Sequence, residues 1–201
     1  AKTLTAKLLA RTVQVDFSRI QFTPDLMPSD VLGTSVFHPG TATFDYKRGP
    51  VFANLVLIDE INRAPAKTQA SLFEVMEEQH ITHDGQVYPL QAPFVVLATQ
   101  NPIEQEGTYR LPEAQLDRFM FKVLVEYPSL EEEVAILELQ HKGTQLSKDL
   151  ERVQPVLTAA QLLELRKAVQ AVHLDRKLLE YIAQIVGETR VNKSLYLGAS
   201  P

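Results

Sequence analysis

Leu55-Val56-Leu57-Ile58-Asp59-Glu60 constrains this chain more than any other segment, because four apolar residues run straight into two carboxylates. A continuous apolar run of this length reads as a strand buried on both faces, as in a parallel sheet covered by helices. Ligands of such sheets sit beyond the carboxyl ends of the strands, where Asp59 and Glu60 fall. Neighbouring strand residues point to opposite faces, so the two acids are not an equivalent chelating pair. One suits a magnesium ion or its water shell and the other a water molecule beyond it, as nucleotide hydrolysis requires. A buried strand that ends in acids merely capping a loop gives the same pattern, and both readings stand at this point.

The opening residues favour the first reading. Lys2-Thr3 begins a segment whose Leu4, Leu8 and Leu9 recur at helical spacing. A Lys-Thr pair at a helix start matches the end of a phosphate-binding loop, where the Lys reaches phosphates and the Thr hydroxyl binds magnesium.

The remaining pattern alternates strand and helix. Residues 13–22 have strand composition, and Pro24 and Pro28 interrupt regular structure. Residues 33–50 are rich in Gly and Pro, with Phe37, Phe44 and Tyr46 among them, which predicts a loop or short hairpin inserted at the surface. Pro65 suits the first turn of a helix to about Gln79, with Leu72, Phe73 and Met76 inward and Glu74, Glu77 and Glu78 solvated. Asp84-Gly85 between alternating residues predicts a hairpin over 81–88. Further strands are expected at Phe94–Ala98 and Phe119–Tyr127. Beyond Pro128 the pattern is helical, with capping boxes at Ser129/Glu132 and Thr158/Gln161. The expected fold is therefore an α/β domain, 1–128, followed by a small α-helical domain, 129–201.

Composition excludes several classes. The 201 residues, 45% hydrophobic and 22% charged, fit a globular chain with a substantial core. A net charge of -5 opposes a nucleic-acid footprint. The absence of cysteine removes disulfide and thiolate chemistry and fits a reducing compartment. No apolar run approaches the ~20 residues that span a bilayer. His38, His80, His83, His141 and His173 have no metal-like spacing, and no Ser-His-Asp arrangement is legible in sequence.

Two longer stretches carry a family resemblance. Gly49-Pro50-Val51-Phe52-Ala53-Asn54, continuing through the acidic strand to Ile61-Asn62-Arg63-Ala64-Pro65, resembles the AAA+ ATPases of the MoxR family. So do residues 98–109 (Ala98 to Tyr109) and Leu111-Pro112-Glu113-Ala114-Gln115-Leu116-Asp117-Arg118-Phe119, in the family's order. Gly198-Ala199-Ser200-Pro201 is similar to the start of its second sensor motif. The resemblance covers essentially the whole chain and implies a P-loop NTPase core with an α-helical lid.

Residue by residue, the resemblance implies that Lys2 contacts the β- and γ-phosphates of ATP and that Thr3 ligates Mg2+. Asp59 would hold that ion through its water shell, and Glu60 would polarise the attacking water, since a carboxylate can accept a proton and aim the water. Asn101 would be the first sensor, an uncharged donor to phosphate or water. Arg118 is the candidate arginine finger, a permanently charged group serving the neighbouring subunit's ATP. Arg63 and Arg110 are further interface candidates. The implied protein is a cytoplasmic homo-oligomeric ring, a hexamer, that remodels client proteins like a chaperone, in some cases with a von Willebrand A-domain partner. The insertion at 33–50 would contact substrate or the pore. The rivals are a nucleic-acid motor, which the acidic balance opposes, and a non-catalytic nucleotide-sensing scaffold, which Glu60 and Arg118 oppose. Ala1 stands where many phosphate loops have their last glycine. The other loop glycines and the second-sensor arginine lie outside the sequence. The chain thus reads as a piece of a longer ATPase, incomplete at both ends and expected to bind and hydrolyse ATP poorly by itself.

Overall fold

The computed structural model describes residues 2–100, 109, 111–141, 153–196 and 198–199, with Lys2 described by its backbone alone. The chain divides into two compact units, residues 1–162 and 163–201.

The first unit is built on a three-stranded parallel sheet. Its strands are β1 (Phe17–Gln21), β4 (Leu55–Asp59) and β7 (Val95–Ala98), in the order β1-β4-β7. All five residues of β4 are buried, as expected of the central strand of a covered parallel sheet. Helix α1 (Lys2–Val13) precedes β1, and α3 (Ala66–Glu78) follows β4. The core joins Ile20 and Phe22 to Val56, Ile58 and Ile61, and then to Leu72, Phe73 and Val75 of α3. The apolar side expected for α3 is thus the packed one. Pro65 caps that helix from just outside, its missing N–H costing nothing there.

Two buried polar side chains fix the loops around β4. Asn54 Oδ1 accepts from Asp16 N–H at 3.2 Å, while its amide donates to the carbonyls of Gln91 and Pro93 at 3.1 and 3.0 Å. Gln69, on α3, donates to the carbonyls of Ile61 and Ala64 at 3.0 and 3.1 Å. These bonds meet the demand that buried backbone groups be paired where no ladder reaches them.

The insertion is a hairpin, β2 (Gly33–His38) with β3 (Thr43–Arg48), entered from the short helix α2 (Pro28–Leu32). Gly33 has φ +118°, and a Cβ there would collide with the Lys47 carbonyl; one at Gly49 would collide with the Val31 carbonyl. Glycine is required because backbone meets backbone at the hairpin base. Phe37 and Phe44 pair near the exposed end, ring centroids 5.0 Å apart. Tyr46 packs on His83 and Tyr88 of the second hairpin, β5 (His80–His83) with β6 (Gln86–Pro89), which turns at Asp84-Gly85 as expected.

Two expectations need correction. No strand forms at 119–127: Met120, Phe121 and Val123 to Val125 are exposed, and Tyr127 is 93% exposed. β-rich composition alone does not make a strand without a ladder partner to satisfy its backbone. β1 is also shorter than the 13–22 segment, because α1 runs on through Val13 and Gln14 turns the chain at φ 51°.

The capping boxes after Pro128 are formed. Ser129 N–H donates to Glu132 Oε2 at 2.8 Å, and Thr158 N–H to Gln161 Oε1 at 2.9 Å. They start α4 (Leu130–His141) and α5 (Ala159–Gln170); Asp175 caps α6 (Arg176–Val191). The apolar positions expected to line these helices, including Leu130, Leu137, Val169 and Leu178, are exposed. Within the first unit the N–H groups of Val156 and Leu157 donate to the Thr12 carbonyl at 2.8 and 3.1 Å. No helix among the described residues is long and apolar enough to cross a membrane.

Candidate functional site

The site begins with Asp59, the last residue of the buried central strand, whose side chain is only 8% exposed. A carboxylate so placed must be paired. Its Oδ2 accepts from Arg19 Nε at 2.6 Å and from Thr3 Oγ1 at 3.3 Å, and its Oδ1 accepts from Thr99 Oγ1 at 3.2 Å. Three segments converge on one carboxylate: the start of α1, the middle of β1 and the residue following β7.

Glu60 does not continue the strand. Its backbone is left-handed, φ 57° and ψ 51°, so this turn aims its side chain, not strand alternation. Thr99 fastens the turn. Its Oγ1 accepts from Glu60 N–H at 3.0 Å, its carbonyl accepts from Ile61 N–H at 3.0 Å, and its own N–H donates to the Ile58 carbonyl at 2.8 Å. The Glu60 carboxylate accepts from Gln21 Nε2 at 3.2 Å and pairs with Arg63 Nη1 at 3.2 Å. Two acids at adjacent positions are therefore held separately, Asp59 inward and Glu60 towards solvent. Such backbone strain clusters at functional sites.

Of the residues singled out in sequence, Thr3 and Asp59 meet, with Glu60 beside them. Arg118 is not among the partners of either acid. It lies against α3 instead, where its Nε and Nη2 donate to Glu77 Oε2 at 3.2 and 2.7 Å, while Nη1 donates to the Ala114 carbonyl at 2.9 Å. An open depression of about 310 Å³ lies there, lined in part by Phe73, Glu77, Gln115 and Arg118. Glu77, expected to be merely solvated, is thus the partner of Arg118. The Lys2 side chain, Asn101 and Arg110 lie outside the described residues. Arg63, named as an interface candidate, pairs with Glu60.

Sequence reasoning missed Arg19, Gln21 and Thr99. A signal existed in Phe17-Ser18-Arg19-Ile20-Gln21, where Arg19 and Gln21 are two apart and share one face of β1. The parallel register sets Gln21 beside Asp59. Polar residues on alternate positions of a strand next to the acidic one were the clue.

Among the described residues no three acidic, histidine or cysteine side chains group to hold a metal. One carboxylate with one hydroxyl, Asp59 with Thr3, fits magnesium carried with phosphates better than an all-protein cage. Ser35, His83 and Asp84 also come together, unannounced in sequence. Ser35 Oγ and Asp84 Oδ2 both face His83 Nε2, at 2.8 and 3.3 Å, and Ser35 donates directly to Asp84. A relay needs the acid and the nucleophile on different ring nitrogens, so this cluster joins the two hairpins and is not a triad.

Comparison with known proteins agrees with this architecture. Residues 1–121 match the family described as "ATPase family associated with various cellular activities (AAA)". The chain is 50% identical to the uncharacterized protein YeaC of Bacillus subtilis, aligning over 100% of its own length and 61% of that protein's. It is 46% identical to the chaperone MoxR1 of Mycobacterium tuberculosis, over 97% of this chain and 50% of the relative. A crystal structure of a Cytophaga hutchinsonii protein assigned as an ATPase superposes with a TM-score of 0.80 at 45% identity, covering 94% of this chain and 56% of that one. The chain thus spans little more than half the length of these relatives. With its parallel sheet, flanking helices and acidic strand end, the chain belongs to the AAA family of P-loop ATPases, in its MoxR branch.

Proposed function

We propose that the protein carrying this chain hydrolyses ATP with Mg2+ and uses the energy to remodel or activate client proteins. The observation that carries this reading is the meeting of Thr3 and Asp59 across 3.3 Å, with Glu60 held beside them on a strained turn. Thr3 and Asp59 would hold the ion, Lys2 would engage the β- and γ-phosphates, and Asn101 would sense the terminal phosphate. The bound ion supplies charge neutralisation of the phosphates. Glu60 accepts a hydrogen bond from the attacking water and aims it in line.

Arg118 would complete the site of a neighbouring subunit in a homo-oligomeric ring, which we take to be a cytoplasmic hexamer. Its pairing with Glu77 of α3, rather than with Asp59 or Glu60 of its own chain, supports a role in trans. The nucleotide core is assigned to 1–128 and the helical lid to 129–201. The exposed aromatic end of the 33–50 hairpin suits contact with a client, and a von Willebrand A-domain protein is a candidate partner.

The deciding experiment uses the full-length protein. Glu60→Gln keeps the shape and removes the proton-accepting charge, so nucleotide binding should persist while hydrolysis falls by about 100-fold or more. Mixing Glu60→Gln with Arg118→Ala subunits should restore part of the activity, because one junction then pairs an intact Glu60 with an intact Arg118. Near-normal turnover in Glu60→Gln would refute its role; no recovery on mixing would refute the role of Arg118 in trans.

A further inference from the structure

Two different groups share one oxygen of Asp59. Thr3 Oγ1 and Arg19 Nε both donate to Oδ2, at 3.3 and 2.6 Å, whereas Oδ1 is turned to Thr99. An ion held by Thr3 and, through its water shell, by Asp59 would use the carboxylate oxygen nearest Thr3, which is the one Arg19 also holds. Guanidinium stays charged at any relevant pH, and a divalent ion a few ångströms away repels it.

Arg19 is placed to leave as well as to hold. Its side chain is 47% exposed, against 8% for Asp59, so it can swing into water without opening a hole in the core. Gln21 Oε1 accepts from Arg19 Nη2 at 3.1 Å, which fixes the plane of the guanidinium while it is docked. Both residues lie on one face of β1, next to the end of β4.

We propose that Arg19 is a displaceable counter-cation for Asp59, a positioning residue that keeps the buried carboxylate paired and gives way when magnesium arrives. The inference rests on the reading of Asp59 as the magnesium-side carboxylate. Arg19 sets the threshold for metal entry: it disfavours loosely bound divalent ions and keeps Oδ2 aimed at Thr3. Its removal should therefore tighten metal binding, whereas the loss of a merely structural contact would weaken it or leave it unchanged.

The test titrates the full-length protein, carrying one equivalent of ADP, with Mn2+, the free ion being read by electron paramagnetic resonance. Arg19→Gln should bind Mn2+ about three- to tenfold more tightly, the range set by losing a partly exposed charge pair. Arg19→Met, which keeps the apolar stem, should do the same, and serves if the Gln variant does not fold. Arg19→Lys retains the charge and should stay near the parent affinity. Asp59→Asn should abolish the site. Unchanged or weaker Mn2+ binding in folded Arg19→Gln or Arg19→Met, with Asp59→Asn still abolishing it, overturns the role of Arg19 alone. Unchanged binding in Asp59→Asn overturns the magnesium reading and this inference with it.

Discussion

Arg118 is bound to a single oxygen of Glu77, receiving its pairing from Nε and Nη2 together, and the guanidinium carbon lies 6.0 Å from the centre of the Phe73 ring. The pair is more than one-third exposed on both sides, 37% for Arg118 and 62% for Glu77. Exposed pairs contribute little to stability, so its value lies in orientation.

Glu77→Ala should accordingly change the unfolding free energy by less than about 1 kcal/mol. If Arg118 serves a neighbouring subunit, the same change should lower hydrolysis severalfold at saturating ATP, because the guanidinium loses its fixed direction. Urea melts and ATPase rates over a range of protein concentrations check both halves.

Thr99→Val conserves shape and leaves the Glu60 N–H without its acceptor. The expected cost is about 1–3 kcal/mol of stability, from a backbone donor stripped of its partner. Hydrolysis should fall as well, since Thr99 also holds Asp59 Oδ1. Chemical denaturation and single-turnover rates are the measurements.

Asn54→Ala removes one acceptor and two donor bonds at a buried position. Two loop carbonyls lose their partner together, and the destabilisation should reach about 2–4 kcal/mol. Calorimetry would register it. Asn54→Asp should fail to rescue, because a carboxylate cannot donate to the Gln91 and Pro93 carbonyls.

Tyr46 should report pH. Burial pushes its phenol above the ordinary value of 10.0, the nearby Tyr88 adds to the shift, and Arg48 partly opposes it. Folding therefore favours the neutral phenol, whose O–H donates to the Leu32 carbonyl at 2.7 Å. The contribution of this group is complete below the unfolded value and is lost as pH rises through the higher folded one. Absorbance titration near 295 nm should show a late-titrating tyrosine that Tyr46→Phe removes. The parent should lose melting temperature above about pH 10 faster than that variant.

The parts legible in sequence were those where local pattern and tertiary demand coincide. Leu55–Asp59 could hardly be anything but a buried strand, and Ser129/Glu132 and Thr158/Gln161 cap their helices through bonds made within four residues. Phe119–Tyr127 failed for the opposite reason: a strand needs a neighbour, and nothing in its own composition supplies one. Within the site, Thr3, Asp59 and Glu60 were readable because each lies in a compact motif. Arg19 and Gln21 were not, since their importance arises only when the parallel register sets β1 against β4.

If Glu60 aims the attacking water as proposed, its left-handed backbone places stability and chemistry in opposition at a single residue. Glycine relieves that conformation and asparagine tolerates it better, by roughly 1 kcal/mol, yet neither offers a carboxylate to a water molecule. A screen for heat resistance alone should therefore enrich Glu60→Gly or Glu60→Asn wherever the relief outweighs the lost bonds to Gln21 and Arg63. Such clones would melt later and turn over nothing. On that reading glutamate survives at this position only under selection that counts turnover, which would make residue 60 a built-in tracer of whether a population is being chosen for what it does or only for how well it lasts.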